Sequence, residues 1–468
     1  MTKIKFILIP FLVGMLFISA NRLNAQQNNT LYFMEQIPQS NQMNPAFQNP
    51  STLYLGLPAG SSVHASLKSG FAFNDIFIYE EEIGRPVTFL YSEEYQDDFL
   101  KTFDRMGSFL SADLYETILS MGFRVKDFYF FGDANLRISG DNSLPADFPR
   151  LLLNGNYQDG QAIDYQFDDF NFNANAFIES GIGVSYKYNS KLTLGAKPKL
   201  LFGLGNLSTG DVSASLSSRD SLNLSANMTL NGAFPTLQLH EGDEFIDSMS
   251  ISDDMGEIIS ESLTNKNKGF AIDLGATYQL NDQIRLSASL IDLGWISWKS
   301  NANSINASAN YTFRGADVSS MLDADDTTDF FQSVTDTLPN LFQLSNELGG
   351  DYSYSTSLYG KFYLGGTYEV TKGIKLGVLS RTSIVNSKLR QQLTLSANFS
   401  PHDVLNASIS YTMKNNTFNN LGLGLGLKGG PFHFYFVTDN IPIAFDRLVT
   451  GDGTNIPIPH NFKSVNLR

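Results

Sequence analysis

The chain has 468 residues, among them 20 Tyr and 37 Phe but no Cys, and a formal net charge of −15 at pH 7. Without cysteine there is no disulfide, no thiolate metal site and no lipid-modified cysteine anchor. The acidic balance argues against a nucleic-acid partner, because phosphate backbones are bound by an excess of Lys and Arg.

The first 25 residues have the pattern of a secretory signal peptide. Two lysines in MTKIK precede an uncharged apolar run, FILIPFLVGMLFISA at 6–20, and Ala25 stands before the polar QQNN. The run is shorter than the about 20 apolar residues that a membrane-spanning helix needs. A short apolar run behind a basic start is typical of export signals. We predict that residues 1–25 are a signal peptide and that the chain is exported.

Beyond residue 60, apolar and polar residues alternate in long runs. The clearest run is GFAIDLGATYQL at 269–280, and similar runs follow at 358–370 and 392–400. At 421–427 leucines alternate with glycines. Each run predicts a strand with one apolar face, as in membrane-spanning strands. Strands of a soluble sandwich also alternate, so the connections between strands must distinguish the two.

Short and long connections alternate along this part of the chain. The short ones are six polar turns, at 126–127, 189–190, 281–282, 371–373, 401–402 and 428–430. The long ones lie around 72–118, 140–171, 205–267, 297–350 and 440–460. Short turns at one end and long loops at the other are typical of outer-membrane barrels. We predict an all-β fold: a transmembrane antiparallel β-barrel of about 14 strands over 60–468, with a first strand near 61–73 and a last near 461–468.

Some segments depart from regular alternation. Pro198 interrupts a strand, and we predict a bulge there, because a closed barrel has no edge for a proline. The apolar parity slips at Leu290-Ile291, which predicts a second bulge. Either Trp295 or Trp298 is expected in the far aromatic girdle, the alternative being an ordinary core tryptophan. The polar stretch 212–230 is expected to form a hairpin that rises beyond the membrane.

Strand parity places charged side chains of both signs on the polar face. We predict that this face lines a lumen, and two interpretations remain open. The charges guide a solute through a selective passage, or they pair across a packed lumen and hold it rigid. The predicted lumen-facing residues are Lys197, Lys199, Asp273, Arg285, Lys361, Glu369, Arg381 and His433, together with His64, Lys68, Glu179, Lys187 and Lys375.

Neither an enzyme nor a metal site is predicted. His433 could activate Ser408 or Ser410, but no spacing in the sequence specifies such a pair, and a hydrogen-bonded histidine is the simpler interpretation. We assign no catalytic residue, no cofactor and no metal ligand. The acidic stretches 241–261 and 323–329 are interpreted as solvated loops. The alternative is that divalent cations bridge their carboxylates to one another or to lipopolysaccharide.

The N-terminal part carries a family resemblance. YFMEQIPQSNQMNPAF at 32–47 and YLGLPAGSSVHASLKSGFAFNDIF at 54–77 resemble the N-terminal signature of an uncharacterised Bacteroidota outer-membrane family with a domain-of-unknown-function name. That family is distantly similar to FadL-type and PorV-type barrels. Asn44, Pro45, Ala46 and Phe47 stand where those relatives have an Asn-Pro-Ala turn between a plug and the barrel wall.

The resemblance implies that residues 26–59 form an N-terminal plug or periplasmic segment. The prolines of this segment support the prediction, because an already restricted chain loses less entropy when it is ordered. Aromatic side chains such as Tyr32 and Phe33 would supply apolar anchors. The alternative is a disordered periplasmic tail, although such tails are seldom this aromatic.

The resemblance also bears on location and function. It implies an outer-membrane protein surrounded by lipid and lipopolysaccharide, with the barrel-assembly machinery as a partner during folding. FadL-type relatives move hydrophobic molecules, so the leading hypothesis is passive transport of small molecules, with a small hydrophobic ligand as candidate. PorV-type relatives serve the type IX secretion machinery, so the alternative is a non-transporting scaffold or accessory component whose partners are secretion-machinery proteins.

Overall fold

The structure is a computed structural model. It describes residues 29–57, 61–80, 82–83, 85–106, 108–158, 161–217, 222–234, 237–241, 246–251, 255–313, 343–347, 352–385, 388–402, 404–414, 417–441, 445–449, 455–459 and 464–467. The predicted signal peptide at 1–25 and the acidic stretch 323–329 lie outside the described residues, and the acidic stretch 241–261 lies only partly within them.

The described residues are mostly strand. The strands are β1 (Leu53–Gly56), β2 (Ser62–Ser69), β3 (Phe77–Glu80), β4 (Arg85–Thr88), β5 (Ser108–Val125), β6 (Phe128–Leu144), β7 (Tyr157–Gln158), β8 (Gln161–Ala162), β9 (Tyr165–Gln166), β10 (Asn171–Lys187), β11 (Leu192–Ser217), β12 (Leu222–Ala233), β13 (Leu237–Glu241), β14 (Ile246–Ile251), β15 (Lys268–Gln279), β16 (Ile284–Trp298), β17 (Ala302–Phe313), β18 (Gln343–Glu347), β19 (Tyr354–Ser357), β20 (Lys361–Thr371), β21 (Ile374–Val385), β22 (Lys388–His402), β23 (Leu405–Lys414), β24 (Thr417–Gly429), β25 (Phe432–Ile441), β26 (Phe445–Val449), β27 (Asn455–Pro459) and β28 (Ser464–Leu467).

The helices are few and short. They are α1 (Asn29–Tyr32), α2 (Phe73–Ile76), α3 (Glu93–Met106), α4 (Asp147–Asn154) and α5 (Met255–Thr264), with 3₁₀ helices at Pro38–Gln42 and Phe89–Tyr91. None of the helices within the described ranges combines the length and the apolar content needed to cross a membrane.

Fourteen of the described strands form one consecutive antiparallel series, called here the main series. Its order is β2, β5, β6, β10, β11, β15, β16, β20, β21, β22, β23, β24, β25 and β28. The last strand, β28, lies beside β25 and pairs with β2, the first strand of the series. The predicted all-β fold with a large antiparallel sheet is confirmed.

The six predicted short turns join hairpins of the main series. Lys126, Gly373 and Gly430 adopt positive φ angles of 52°, 84° and 59°. Such left-handed residues are what tight hairpin turns require. Local turn chemistry therefore accounts for the positions of these three turns.

The connections at the other strand ends carry further structure. β12 pairs with the distal half of β11 and with β17, so the predicted polar hairpin at 212–230 is present. β18 pairs with β17, and β19 pairs with the end of β16. Small separate hairpins form from β3 with β4, β7 with β8, β13 with β14 and β26 with β27.

The prediction of a bulge at Pro198 is wrong. β11 keeps one register against β15 through Lys197, Pro198 and Lys199. Against β10, the pairing passes over Ile182 and Gly183 and resumes in the same register. Because proline only lacks an N–H donor, it removes a ladder hydrogen bond on one side and requires no extra residue.

The bulge predicted at Leu290-Ile291 is present. The register between β15 and β16 shifts at Asp273, and Asp292 has a left-handed φ of 62°. The Asp292 N–H donates to the Asp273 carboxylate at 2.7 Å. A bulge bends its strand and redirects side chains, and here it brings Asp292 onto the buried face of the sheet, where it is 2% exposed.

The two faces of the main series differ in polarity. The face called outer exposes apolar side chains, for example Leu364 at 54% and Phe434 at 69%. The opposite face, called inner, buries polar ones, for example Lys197 at 1% and Glu179 at 2%. A soluble sandwich would bury its apolar faces between two sheets. This distribution is the reverse, with apolar side chains exposed on the outer face and polar side chains buried on the inner face.

The two tryptophans illustrate the same division. Trp295 lies on the outer face and is half exposed, whereas Trp298 is fully buried. The Trp298 Nε1–H donates to the Thr356 hydroxyl at 2.8 Å. Trp298 therefore corresponds to the alternative of a core tryptophan, and the position of Trp295 in an aromatic girdle stays a prediction.

Candidate functional site

Residues 29–50, called here the N-terminal segment, are anchored at their first turn. The backbone N–H groups of Asn29 and Thr30 donate to the Asp439 carboxylate at 2.7 and 2.9 Å. The first N–H groups of a helix have no partner within the helix, and a carboxylate satisfies them. The Asn29 side chain donates to Gln392 at 3.0 Å. β25 and β22 thereby fix the beginning of the segment.

The rest of the N-terminal segment bonds to strands far apart in the main series. The Met43 carbonyl accepts from Ser289 of β16 at 2.6 Å, and the Ala46 carbonyl accepts from Ser185 of β10 at 3.2 Å. Arg124 of β5 donates to the Asn49 carbonyl at 2.6 Å. The segment therefore crosses the space that the inner faces of these strands share.

The Asn-Pro-Ala turn is part of this contact. Asn44 is fully buried; its side-chain oxygen accepts from the Ala46 N–H at 3.0 Å, and its amide donates to a β16 carbonyl at 3.3 Å. The turn lies on Gly195 and Gly275, which are directly opposite each other on β11 and β15. A Cβ added at Gly195 would overlap the carbonyl of Pro45. The two glycines thus provide the space that the turn occupies.

The glycines of 421–427 serve the same purpose. The leucines of this run point outward, and Gly422 and Gly424 lie on the inner face of β24. A Cβ added at Gly422 would overlap the hydroxyl of Thr30, and one at Gly424 would overlap the sulfur of Met34. Alternation of leucine and glycine therefore encodes both a strand and a close approach of the N-terminal segment.

We expect Gly195→Ala to loosen the N-terminal segment. The added methyl meets backbone atoms of the turn, and such overpacking costs about 1–3 kcal/mol. The matched control is Gly140→Ala, because nothing lies within 4 Å of a Cβ there. Urea unfolding and limited proteolysis within 26–50 measure the effect. Equal stability and equal protease resistance of the two variants would contradict the packing role of Gly195.

Eight charged side chains form a continuous network on the inner face of six neighbouring strands. β6, β10, β11, β15, β16 and β20 each contribute at least one member, and carboxylates and cations are equal in number. The network comprises Asp133, Arg137, Glu179, Lys197, Lys199, Asp273, Asp292 and Lys361.

Asp292, placed by the bulge, is the centre of the network. Arg137 donates to both of its oxygens, at 2.8 and 3.0 Å. Lys199 lies at 2.5 Å and Lys361 at 2.7 Å from its oxygens. A bidentate arginine and two ammonium groups satisfy one buried carboxylate, as burial of charge requires.

The other carboxylates complete the pairing. Lys197 Nζ lies 2.8 Å from both oxygens of Asp133. Lys199 also contacts Asp273 at 2.8 Å, and Glu179 accepts from Arg137 at 2.8 Å. All charges of the network are thus neutralised within it.

The remaining predicted lumen-facing residues lie elsewhere. Arg285 pairs with Glu35 of the N-terminal segment. Glu369 and Lys375 form a partly exposed pair at 3.9 Å near the short-turn end. Arg381 is buried and donates from Nε to the Tyr363 hydroxyl at 3.2 Å. These residues do not join the network.

His433 is half-buried near the same short-turn end. The two serines considered as its partners have other hydrogen bonds: Ser408 donates to Asn398 at 2.6 Å, and the hydroxyls of Ser410 and Thr30 are hydrogen-bonded to each other at 2.7 Å. Both serine hydroxyls thus form hydrogen bonds with residues other than His433.

Sequence reasoning missed Asp133, Arg137 and Asp292. The first two alternate with outward apolar residues along β6, so extending the parity argument to that strand would have found them. Asp292 follows the bulge. The same slip of parity that predicts the bulge also indicates that the Asp292 side chain points to the inner face.

Two cavities lie on either side of the N-terminal segment. The one called the inner cavity has a volume of about 190 Å³ and is lined by Met43, Lys68, Arg137, Lys361, Arg381 and Arg390, among others. The one called the turn-end cavity has a volume of about 250 Å³, and Phe33, Glu35, Gln48, Thr367 and Lys375 contribute to its lining. Buried side chains of the segment form the layer between them, in which Tyr32 stacks on Tyr363 with ring centroids 5.6 Å apart.

These features define an all-β protein whose large, mostly antiparallel sheet has a buried polar face. The chain belongs to DUF5723, a family of unknown function that matches residues 45–439. The predicted membership in a family of unknown function is confirmed, and a Bacteroidota origin stays a prediction. None of the curated proteins compared with the chain matches it.

Solved structures with a distant likeness include two toluene transporters and a FadL homologue. The Ralstonia pickettii toluene transporter TbuX shares 9% identity, with 96% of this chain and 94% of that chain covered and a TM-score of 0.37. The P. putida toluene transporter TodX shares 10%, with 95% and 92% covered and a TM-score of 0.36. A Pseudomonas aeruginosa FadL homologue shares 12%, with 92% and 91% covered and a TM-score of 0.36.

Proposed function

We propose that the chain is an outer-membrane β-barrel protein, exported by its signal peptide. In this proposal the main series closes through β28 into a barrel of fourteen strands around a lumen. The pairing of β28 with β2 supports closure. The exposed apolar outer face and the buried polar inner face support a membrane surrounding, because only a barrel satisfies every backbone group of a sheet in lipid.

We further propose that the protein transports a small molecule passively and that the N-terminal segment plugs its lumen. The observation that carries this proposal is the pair of cavities on opposite sides of the segment. Movement of Tyr32, Phe33 and Met43 would join the two cavities into one passage. The charged lining of the inner cavity favours a polar cargo over the hydrophobic ligand that the family resemblance implies.

Locking the plug to the wall is expected to abolish transport. A cysteine pair, Met34→Cys with Gly424→Cys, joins positions whose side chains meet, since the Met34 sulfur already contacts the position of a Cβ at Gly424, and formation of the bridge is checked by gel mobility before transport is measured. The chain has no native cysteine, so any bridge formed is the introduced one. Swelling of proteoliposomes in small solutes should be lost on oxidation and regained on reduction.

The controls are the reduced double variant and the Met34→Cys single variant, since neither holds a bridge and neither adds a Cβ against the Met34 sulfur. Swelling that persists with the bridge formed would overturn the gating role of the segment. No swelling in any solute, in either redox state, would overturn transport itself.

A second candidate function is a non-transporting scaffold or accessory component of a secretion machinery. The observation that favours it is the balanced charge network, since the Arg137 to Asp292 pair connects β6 with β16 across three intervening strands. Such pairs hold a lumen packed rather than open. A folded, heat-modifiable protein that transports none of the solutes would favour the scaffold.

A further inference from the structure

The inner face of β20, β21 and β22 carries a basic patch near the inner cavity. Ser383 pairs with Lys361 on one side and with Arg390 on the other. Arg381, two residues before Ser383, pairs with Tyr363 and Gln392. Diagonal neighbours in a sheet lie roughly 7–8 Å apart, so Arg381 is within reach of both Lys361 and Arg390.

Lys68 extends this patch from β2. It lines the inner cavity together with Arg381 and Arg390, and its charge interacts with both arginines. Its carboxylate partner is Asp113, at 3.2 Å. Within the described residues, the Arg381 guanidinium contacts the hydroxyl and ring of Tyr363 rather than a carboxylate.

The charges around the inner cavity leave an excess of one cation. Of the described residues that line it, seven are Lys or Arg and four are Asp or Glu. Lys197 is balanced by Asp133 behind the lining, and Arg390 interacts with Asp141. Lys68 and Arg381 then share a single carboxylate, that of Asp113. Buried charges are normally matched, so the described lining of the cavity is one negative charge short of balance, with histidine counted as neutral.

We propose that the inner cavity binds one small oxyanion, a carboxylate or phosphate group, between Lys68, Arg381 and Arg390. Guanidinium groups suit such ligands because they donate two parallel hydrogen bonds. The volume of about 190 Å³ is below the roughly 300–1,000 Å³ of pockets for drug-sized ligands, so the anion is a small solute. The claim that this anion is the transported solute rests on the proposed function. The claim that the cavity binds an anion does not.

The test is calorimetric titration of the full chain in zwitterionic detergent at low ionic strength, with acetate, inorganic phosphate and neutral acetamide as probes. At least one anion should bind and acetamide should not. Arg381→Gln should weaken anion binding by about tenfold or more, and Arg381→Lys should retain part of it. Lys375→Gln, a change of a lysine outside the inner cavity, is the matched control and should bind as the parent does.

Each outcome decides the proposal. Binding of phosphate alone or of acetate alone identifies the anion class, and binding of both identifies a general oxyanion site. The proposal is overturned if neither anion binds, or if Arg381→Gln, shown to be folded by heat modifiability, binds as tightly as Lys375→Gln. Anion binding without solute uptake would overturn the transport function and leave the site standing.

Discussion

Replacing Asp292 by Asn is expected to lower the free energy of unfolding by about 3–5 kcal/mol, the usual cost of breaking a buried ion pair from one side. Arg137, Lys199 and Lys361 all contact this carboxylate. The amide cannot balance these three cations, of which Lys199 is buried and Arg137 and Lys361 are mostly buried. Urea unfolding from lipid vesicles, followed by the intrinsic fluorescence of the two tryptophans, measures the loss.

The matched control removes a carboxylate from an exposed pair. Glu369 lies 3.9 Å from Lys375, and both side chains are more than a third exposed. Exposed pairs contribute about 0–1 kcal/mol, so Glu369→Gln should leave the unfolding midpoint almost unchanged. Equal losses in the two variants would show that burial of the network does not govern stability, and the packed-lumen interpretation would be withdrawn.

The alternation of the strands and the short turns could be predicted because both are local. Side chains at every second position of a strand lie on the same face, so a run such as 269–280 indicates directly which face each residue occupies. Most of the turns are indicated by Gly, Asn, Asp or Lys between two such runs. The bulge at Leu290-Ile291 could be predicted for the same reason, since a single extra residue reverses the parity that follows it.

The charge network could be predicted only in part, because its pairing is not local. Lys199 and Asp273 are neighbours across β11 and β15, and parity places both on the inner face. Arg137, in contrast, reaches Asp292 from a strand four positions away in the main series. Such a contact depends on the curvature of the whole sheet, which sequence parity does not contain.

The contacts of the N-terminal segment lie between these cases. The aromatic residues and the Asn-Pro-Ala turn indicate an ordered segment, but not where it lies. The wall glycines give the missing information, since Gly195, Gly275, Gly422 and Gly424 all lie where the segment approaches. Glycines on the inner face of a strand thus indicate that another part of the chain packs against that strand.

In the proposed barrel, removing residues 29–48 is expected to convert a closed lumen into an open pore. The segment supplies most of the buried apolar cluster that separates the two cavities. Barrels of 8 strands are filled by side chains, whereas those of 16–18 strands leave an aqueous channel. Fourteen strands without a plug fall nearer the second group. Planar-bilayer recordings should show steady, ohmic conductance in the shortened protein and little in the full chain.

The control shortens the chain at the other end of the strands, by removing β3 and β4, which form a hairpin of their own outside the main sheet. This variant should conduct as little as the full chain does. Residues 29–48 contribute no strand to the main series, so the protein that lacks them should remain heat-modifiable on gels.

If the protein without residues 29–48 is heat-modifiable and yet stays closed, the charge network blocks the lumen without help from the segment. Asp292→Asn in the shortened protein would then be the change expected to open it, because the network would be left as the remaining barrier.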